Sequence, residues 1–167
     1  PSFFPITKFL IERSDAVTAV SQWLKEQTRQ VFGVARPIDV IPNFVDTRLF
    51  RPRRDARLRS RFAAPGEKLL IHASNFRQVK NVPAVVEVFA RVAARLPARL
   101  LLIGDGPELC KAQEVAAAQG LADRVASVGQ VENMAQVLPL GDLTLLPSRH
   151  ESFGLVALES MSCGTPV

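Results

Sequence analysis

Short β-rich runs alternate with stretches of helical periodicity along the whole chain, and no other feature restricts its fold as strongly. Residues 68–73, 99–103, 124–128 and 143–146 read as strands. Between the first two, Val82, Val85, Val86, Phe89, Val92, Ala93 and Leu96 keep i, i+3, i+4, i+7 spacing, with Glu87, Arg91 and Arg95 off that face. Pro83 suits the first turn of that helix. Residues 107–119 read as a helix closed by Gly120, residues 131–140 as a short helix and 153–163 as another, with Thr165 opening a further strand. Upstream, residues 16–20 form a strand. Ser21 then caps a helix through Phe32 with an apolar stripe of Trp23, Leu24, Thr28, Val31 and Phe32, and residues 38–41 form a strand stopped by Pro42 and Asn43. This β-α-β-α order predicts an α/β fold, a parallel sheet with helices on both faces. Leu100 to Ile103 is apolar on both sides, as an interior parallel strand should be. Ligands bind such sheets at the carboxyl ends of the strands, so the residues just after each strand are the candidates for function.

Composition removes several classes. Apolar residues make up 47% of the 167, enough for a core, which excludes disorder. No apolar run reaches the ~18 residues of a spanning helix. The opening lacks the basic and apolar segments of a signal peptide. Pro1 in place of Met, and an apparent new strand at Gly164–Thr165–Pro166–Val167, lead us to expect a piece of a longer chain. Its unfinished sheet edge offers pairing with a second copy.

The net charge of +5 comes from 21 basic and 16 acidic residues, and the basic ones include 16 Arg. Arg48, Arg51, Arg53, Arg54, Arg57, Arg59 and Arg61 crowd one stretch. Leu58 and Phe62, four apart, make residues 53–62 an amphipathic helix with a solvated face. No aromatics interleave there to stack bases, so no nucleic acid is expected as a partner. Cys110 and Cys163 form no C-x-x-C pair and belong to no metal-ligand cluster, which predicts reduced thiols, a cytoplasmic protein and no bound metal.

Four strand ends carry chemistry. Arg77 and Lys80 lie on the loop 74–81 that feeds a helix, where cations suit phosphate oxygens, although position alone reads better as two solvated surface residues. Gly104-Asp105-Gly106 resembles the start of a dinucleotide fingerprint, but position 109 is Leu rather than the third glycine, so a tight turn before a helix reads better. Gln130 and Val131 follow another strand. Glu151 precedes the last helix and Glu159 lies inside it among Gly154, Leu155, Val156, Ala157, Leu158, Met161 and Cys163. A carboxylate in so apolar a helix needs a partner, such as a sugar or ribose hydroxyl.

Together these residues carry a resemblance. Glu151-Ser152-Phe153-Gly154-Leu155-Val156-Ala157-Leu158-Glu159, continued by Ser160 to Val167, resembles the Glu-x-Phe-Gly…Glu motif of the retaining glycosyltransferases of family 4, which have the GT-B fold of two Rossmann-like domains. Leu102 to Glu108, Val128-Gly129-Gln130, Val17 to Ser21 and Ile41 to Asp46 are similar as well, so the likeness runs over essentially the whole chain. His72-Ala73-Ser74-Asn75-Phe76-Arg77-Gln78-Val79-Lys80-Asn81, and the opening Phe4 to Phe9, are similar to the branch that moves N-acetylglucosamine to L-malate in bacillithiol biosynthesis. In one respect the chain departs from the family: many members carry Gly-Arg before the lysine-bearing turn, where this chain has Asn75, with Arg77 two later.

The resemblance implies that residues 1–46 end an acceptor domain and residues 47–167 are an incomplete nucleotide-sugar domain. It implies transfer from a UDP-sugar to a small acceptor with retention, and no turnover by these residues alone. The leaving diphosphate needs positive charge, and no Asp-x-Asp metal pair occurs. Arg77 and Lys80 are therefore expected to carry that charge, helped by backbone N–H groups at Phe153 to Leu155, with no cofactor required. Glu151 would hold sugar hydroxyls and Glu159 the ribose. Gln130 and Val131 would meet the base, and Ser74, Asn75, Ser152 and Gly154 would line the donor site. Two other readings stay open: a basic nucleic-acid module on the arginine stretch, and a nucleotide-binding oxidoreductase domain on Gly104-x-Gly106.

Overall fold

A computed structural model describes residues 3–167. They divide into two units, residues 3–44 with 151–154, and residues 45–150 with 155–167.

The second unit is built on a four-stranded sheet. Its strands are β3 (Lys68–Ala73), β4 (Ala98–Ile103), β5 (Val125–Ser127) and β6 (Leu143–Thr144), and they lie in the order β5-β4-β3-β6, every pair parallel. Side chains alternate across the pleat. Leu70, Leu100 and Leu102 enter a core closed by Val82, Val85, Val86 and Phe89 of α4 (Val82–Ala93) and by Ala112 and Ala116 of α5 (Leu109–Ala118). Leu69, Ile71, Leu101 and Ile103 enter a second core with Leu58 of α3 (Ala56–Arg59), Val137 of α6 (Met134–Val137) and Val156 of α7 (Leu155–Ser162). Both faces are covered, which is why β3 and β4 read as continuous apolar runs. Thr144 and Ser160 meet through their hydroxyls at 2.7 Å, and Ser160 donates to the Thr165 carbonyl at 2.9 Å, so a buried polar chain fixes α7 to β6.

The first unit is smaller. α1 (Phe4–Arg13) precedes β1 (Thr18–Ala19). Next come α2 (Gln22–Phe32) and β2 (Asp39–Val40), which pairs in parallel with β1. Its core is Ala19, Val34 and Ile38. Ser21 caps α2 as expected, accepting the Leu24 N–H at 3.1 Å, while its own hydroxyl donates to the Ser152 carbonyl at 2.6 Å.

Several boundaries differ from the sequence reading. The arginine-rich helix shrinks to Ala56–Arg59 because the Asp55 carboxylate accepts the Leu58 N–H at 2.8 Å and so starts it late. α5 begins at Leu109 rather than 107, since the Glu108 N–H is turned to the Phe76 carbonyl at 2.8 Å. The helix expected over 131–140 is α6 plus a 3-10 turn, Leu138–Leu140, where Pro139 ends α-helical bonding. Thr165 onward forms no assigned strand, although the Thr144 N–H bonds the Pro166 carbonyl at 2.8 Å. Helix α1 went unread.

At the amino ends of β3 and β6 the charges are knotted together. Arg59 donates to the carbonyls of Leu140 and Glu67 and, at 2.7 Å, to Asp142. Asp142 also accepts the Leu69 N–H at 2.8 Å and faces Lys68 at 3.4 Å. Burial pushes the Asp142 carboxyl up, but the Leu69 and Arg59 bonds outweigh it and hold the group below its ordinary value. Arg99 pairs with Glu67 at 3.0 Å. One member of the arginine stretch, Arg59, is thus structural, and Arg48 is spent on Asp46 at 3.2 Å. A cleft of about 690 Å³ on this edge is lined by Arg53, Arg54, Asp142 and Gly164.

Candidate functional site

At the opposite edge, the loop after β3 is held from three directions. The Ser74 N–H extends the ladder to the Ile103 carbonyl at 3.0 Å. The loop then turns at Phe76, whose φ of 44° is left-handed without being glycine. Phe76 is fully buried, its N–H donates to Ser74 Oγ at 3.1 Å, and its ring stands edge-on to His72 with centroids 5.5 Å apart. Gly104 and Gly106 press on the loop's outer side. A Cβ at Gly104 would lie 1.9 Å from the Ser74 carbonyl oxygen, and one at Gly106 2.0 Å from that of Asn75. The glycine pair is therefore required by close approach of two backbones, and the turn reading of residues 104–106 gains a physical cause.

His72 lies beneath this loop on β3. It is fully buried, with Nδ1 2.8 Å from the Leu145 carbonyl oxygen and Nε2 2.9 Å from Ser74 Oγ. Burial lowers its pKa, the Leu145 bond opposes this, and the nearby charge of Lys80 lowers it further, so the ring is neutral at physiological pH. Sequence reasoning missed His72. Its one signal was a polar residue inside the apolar run Leu69-Leu70-Ile71.

The strand-end loops of this unit are bonded into one rim. The Gly104 N–H donates to the Gly129 carbonyl at 2.7 Å, the Arg149 N–H to that of Val79 at 2.9 Å, and the Asn81 side-chain amide to that of Pro147 at 3.3 Å. Ser74, Asn75, Arg77, Lys80, Gln130 and Val131 all belong to this rim. Arg77, Asn75 and Gln130 are exposed, Lys80 half-buried, and Val131 packs on the second core. Arg77 precedes a 3-10 turn, Gln78–Lys80, that Asn81 closes in a left-handed conformation with φ 52°.

The last motif is divided between the units. Glu151, Ser152, Phe153 and Gly154 group with the first, whereas Leu155 and Glu159 lie on α7 of the second. Glu159 is half-buried, and burial is the one cause that raises its carboxyl above the ordinary range. No hydrogen bond or ion pair reaches that carboxylate among the described residues. The partner its apolar helix calls for is not found among the described residues. Burial first, and the charge of Glu159 second, push the Cys163 thiol up. Cys163 and the exposed Cys110 are both free thiols.

Among the described residues no three His, Cys, Asp or Glu side chains gather as a metal site, and no helix is long and apolar enough to cross a membrane.

Known proteins match this arrangement throughout. The family model for glycosyl transferases group 1 matches residues 54–167, and that for glycosyltransferase family 4 matches residues 1–49. The chain is 42% identical to the N-acetyl-alpha-D-glucosaminyl L-malate synthase of Bacillus anthracis over 99% of its own length and 44% of the relative's. It is 32% identical to a GDP-mannose-dependent phosphatidylinositol dimannoside mannosyltransferase of Mycobacterium tuberculosis, over 91% of this chain and 40% of that one. The chain thus spans less than half the length of these relatives. Among solved structures, Anabaena HepE in complex with UDP and glucose superposes with TM-score 0.90 at 25% identity, covering 99% of this chain and 47% of that one. The sucrose-phosphate synthase of Thermosynechococcus elongatus superposes with TM-score 0.86 at 28% identity, covering 99% and 43%.

Proposed function

The chain belongs to the group 1 glycosyl transferases, and from that premise we propose that its second unit binds the nucleotide diphosphate of a sugar donor. The observation that carries this reading is the bonded rim of strand-end loops, with Arg77 and Lys80 on its β3 segment. A leaving diphosphate gains negative charge as the glycosidic bond breaks, and fixed cations stabilise that charge without reorganisation. Lys80 and Arg77 take this role, supported by the N–H group of Leu155 at the start of α7. No metal is needed in this scheme.

The other assignments are those that the resemblance to the family implies. Gln130 and the backbone of Val131 meet the base, and Asn75 lines the diphosphate path. Glu159 accepts the ribose hydroxyls, which gives its uncompensated carboxylate the partner it lacks. Glu151, with Ser152 and Gly154, holds the sugar. Residues 1–46 are read as the end of an acceptor domain and residues 47–167 as most of a donor domain. On this division the chain by itself has no turnover.

For the whole enzyme we read transfer of N-acetylglucosamine from its UDP derivative to L-malate with retention, on the strength of the Bacillus anthracis relative. The UDP complex of HepE supports a uridine donor. Two free thiols fit a cytoplasmic protein.

Isothermal titration of the chain with UDP, NAD and a short oligonucleotide tests the donor reading. Saturable binding of UDP that Glu159→Ala weakens is expected. Salt-sensitive binding of the oligonucleotide alone, or of NAD in preference to UDP, overturns it.

A further inference from the structure

We propose that His72 is a positioning residue of the donor loop, acting on Arg77 through Ser74 and Phe76, an inference that rests on the donor reading above. The direction of each bond follows from chemistry. The Leu145 carbonyl only accepts, so the hydrogen of the neutral ring sits on Nδ1. Nε2 then carries a lone pair, and the Ser74 hydroxyl must donate to it. With its hydrogen turned inward, Ser74 Oγ accepts the Phe76 N–H. The relay has one polarity from end to end: Nδ1–H to carbonyl, hydroxyl to Nε2, amide to hydroxyl.

The relay has a mechanical purpose. Phe76 holds a backbone conformation that a bulky residue rarely adopts, and such a conformation persists only when its surroundings impose it. Three constraints act here: the amide bond to Ser74, the carbonyl bond from the Glu108 N–H at 2.8 Å, and the edge contact of the buried ring with His72. His72 supplies the last directly and orients the first. Arg77 is the next residue, so its direction of departure is set by the turn at Phe76. His72 also bonds Leu145, the residue just after β6, and thereby references the loop to the end of the neighbouring strand as well as to its own. Ser74 is in consequence a brace of the loop, and its hydroxyl hydrogen is not offered to a phosphate.

The test uses the 167-residue chain, with His72→Phe, Ser74→Ala and the two combined. Phenylalanine keeps an aromatic edge and removes both nitrogens. Amide hydrogen exchange at Phe76 and Arg77 is followed by NMR, and UDP affinity by titration. In each single variant the Phe76 amide is expected to exchange faster and the UDP Kd to rise roughly tenfold, the scale of one lost hydrogen bond. The double variant should be no worse than either single one, because both interrupt the same relay. Ser74→Thr, which keeps the hydroxyl, should restore protection and affinity. Normal Phe76 protection in a folded His72→Phe or Ser74→Ala chain overturns the proposal, as do penalties that multiply in the double variant. If His72→Phe does not fold, Ser74→Ala against Ser74→Thr decides alone. Failure of the unaltered chain to bind UDP, with Phe76 well protected, overturns the donor reading and with it the purpose given to the relay. Normal UDP binding by the unaltered chain together with normal Phe76 protection in the variants overturns the relay alone and leaves the donor reading standing.

Discussion

The two edges of the four-stranded sheet handle polarity in opposite ways. At the amino edge, charge is answered by charge and by backbone: Arg59 binds Asp142 and two carbonyls, Asp142 binds the Leu69 amide, and Arg99 binds Glu67. At the carboxyl edge the internal bonds are neutral, running through His72, Ser74 and main-chain amides. Arg77 is exposed, and Glu159 has a carboxyl raised by burial with nothing to offset it. A cleft of about 690 Å³ lies at the first edge, against the knotted charges, and the strand-end chemistry lies at the second.

If the contrast is right, substitutions at one edge should cost stability and at the other ligand affinity, and each variant tests that division. The largest effect is expected where the carboxyl edge becomes structural. Gly104→Ala puts a Cβ into the Ser74 carbonyl at a φ of 114°, and should lower unfolding free energy by about 4 kcal/mol. Denaturant titration measures it, and a loss under about 1 kcal/mol would refute the close approach. Next, Lys80→Ala in a full-length enzyme should cost roughly 2 to 4 kcal/mol in kcat/KM while the thermal midpoint stays near normal. Unchanged turnover would remove Lys80 from the diphosphate site.

At the amino edge, Asp142→Ala orphans the Leu69 amide and Arg59, and should cost about 2 kcal/mol of stability with UDP affinity intact. The pH dependence has a definite sign. Asp142 titrates below its ordinary 3.8 in the folded chain, so its contribution is complete above that pH and is lost as the pH falls through the lowered value. Acid unfolding of Asp142→Asn should therefore be less steep than that of the unaltered chain. The smallest effect is expected from Glu159→Gln. The folded carboxyl titrates above 4.5, so its contribution is full at lower pH and declines as the pH rises through the raised value. At pH 7 the amide should raise the thermal midpoint slightly while weakening UDP binding by about 1 kcal/mol. A lowered midpoint would mean that the charge has a partner.

Much of this architecture was legible in the residues. β3 was read to both its ends because a strand covered on both faces is apolar throughout, and α2 because Ser21 is a cap with a local partner. Helix α1 was missed although Ile6, Phe9 and Leu10 have helical spacing. It meets the core of the first unit only through partly buried Ile11, and it has no side-chain cap to mark its start. Arg77 and Lys80 stood out as candidates because they follow a strand, and the resemblance gave them their proposed role. The glycines were seen, but their reason was not: the atoms they avoid belong to Ser74 and Asn75, some thirty residues away. His72 was illegible for the same cause, since Leu145 enters the relay from just after another strand. Local pattern reports what a residue does for its own element, and contacts made across the sheet leave no trace in spacing.

The approach of Gly104 and Gly106 to the Ser74–Asn75 backbone has a consequence for engineering. Two loops occupy one volume, so neither is a module by itself. A donor loop transplanted from another transferase would arrive with its own path and meet a neighbour shaped for a different one. Exchange of specificity by grafting should succeed when residues 74–81 and 104–108 travel together, and fail when either travels alone.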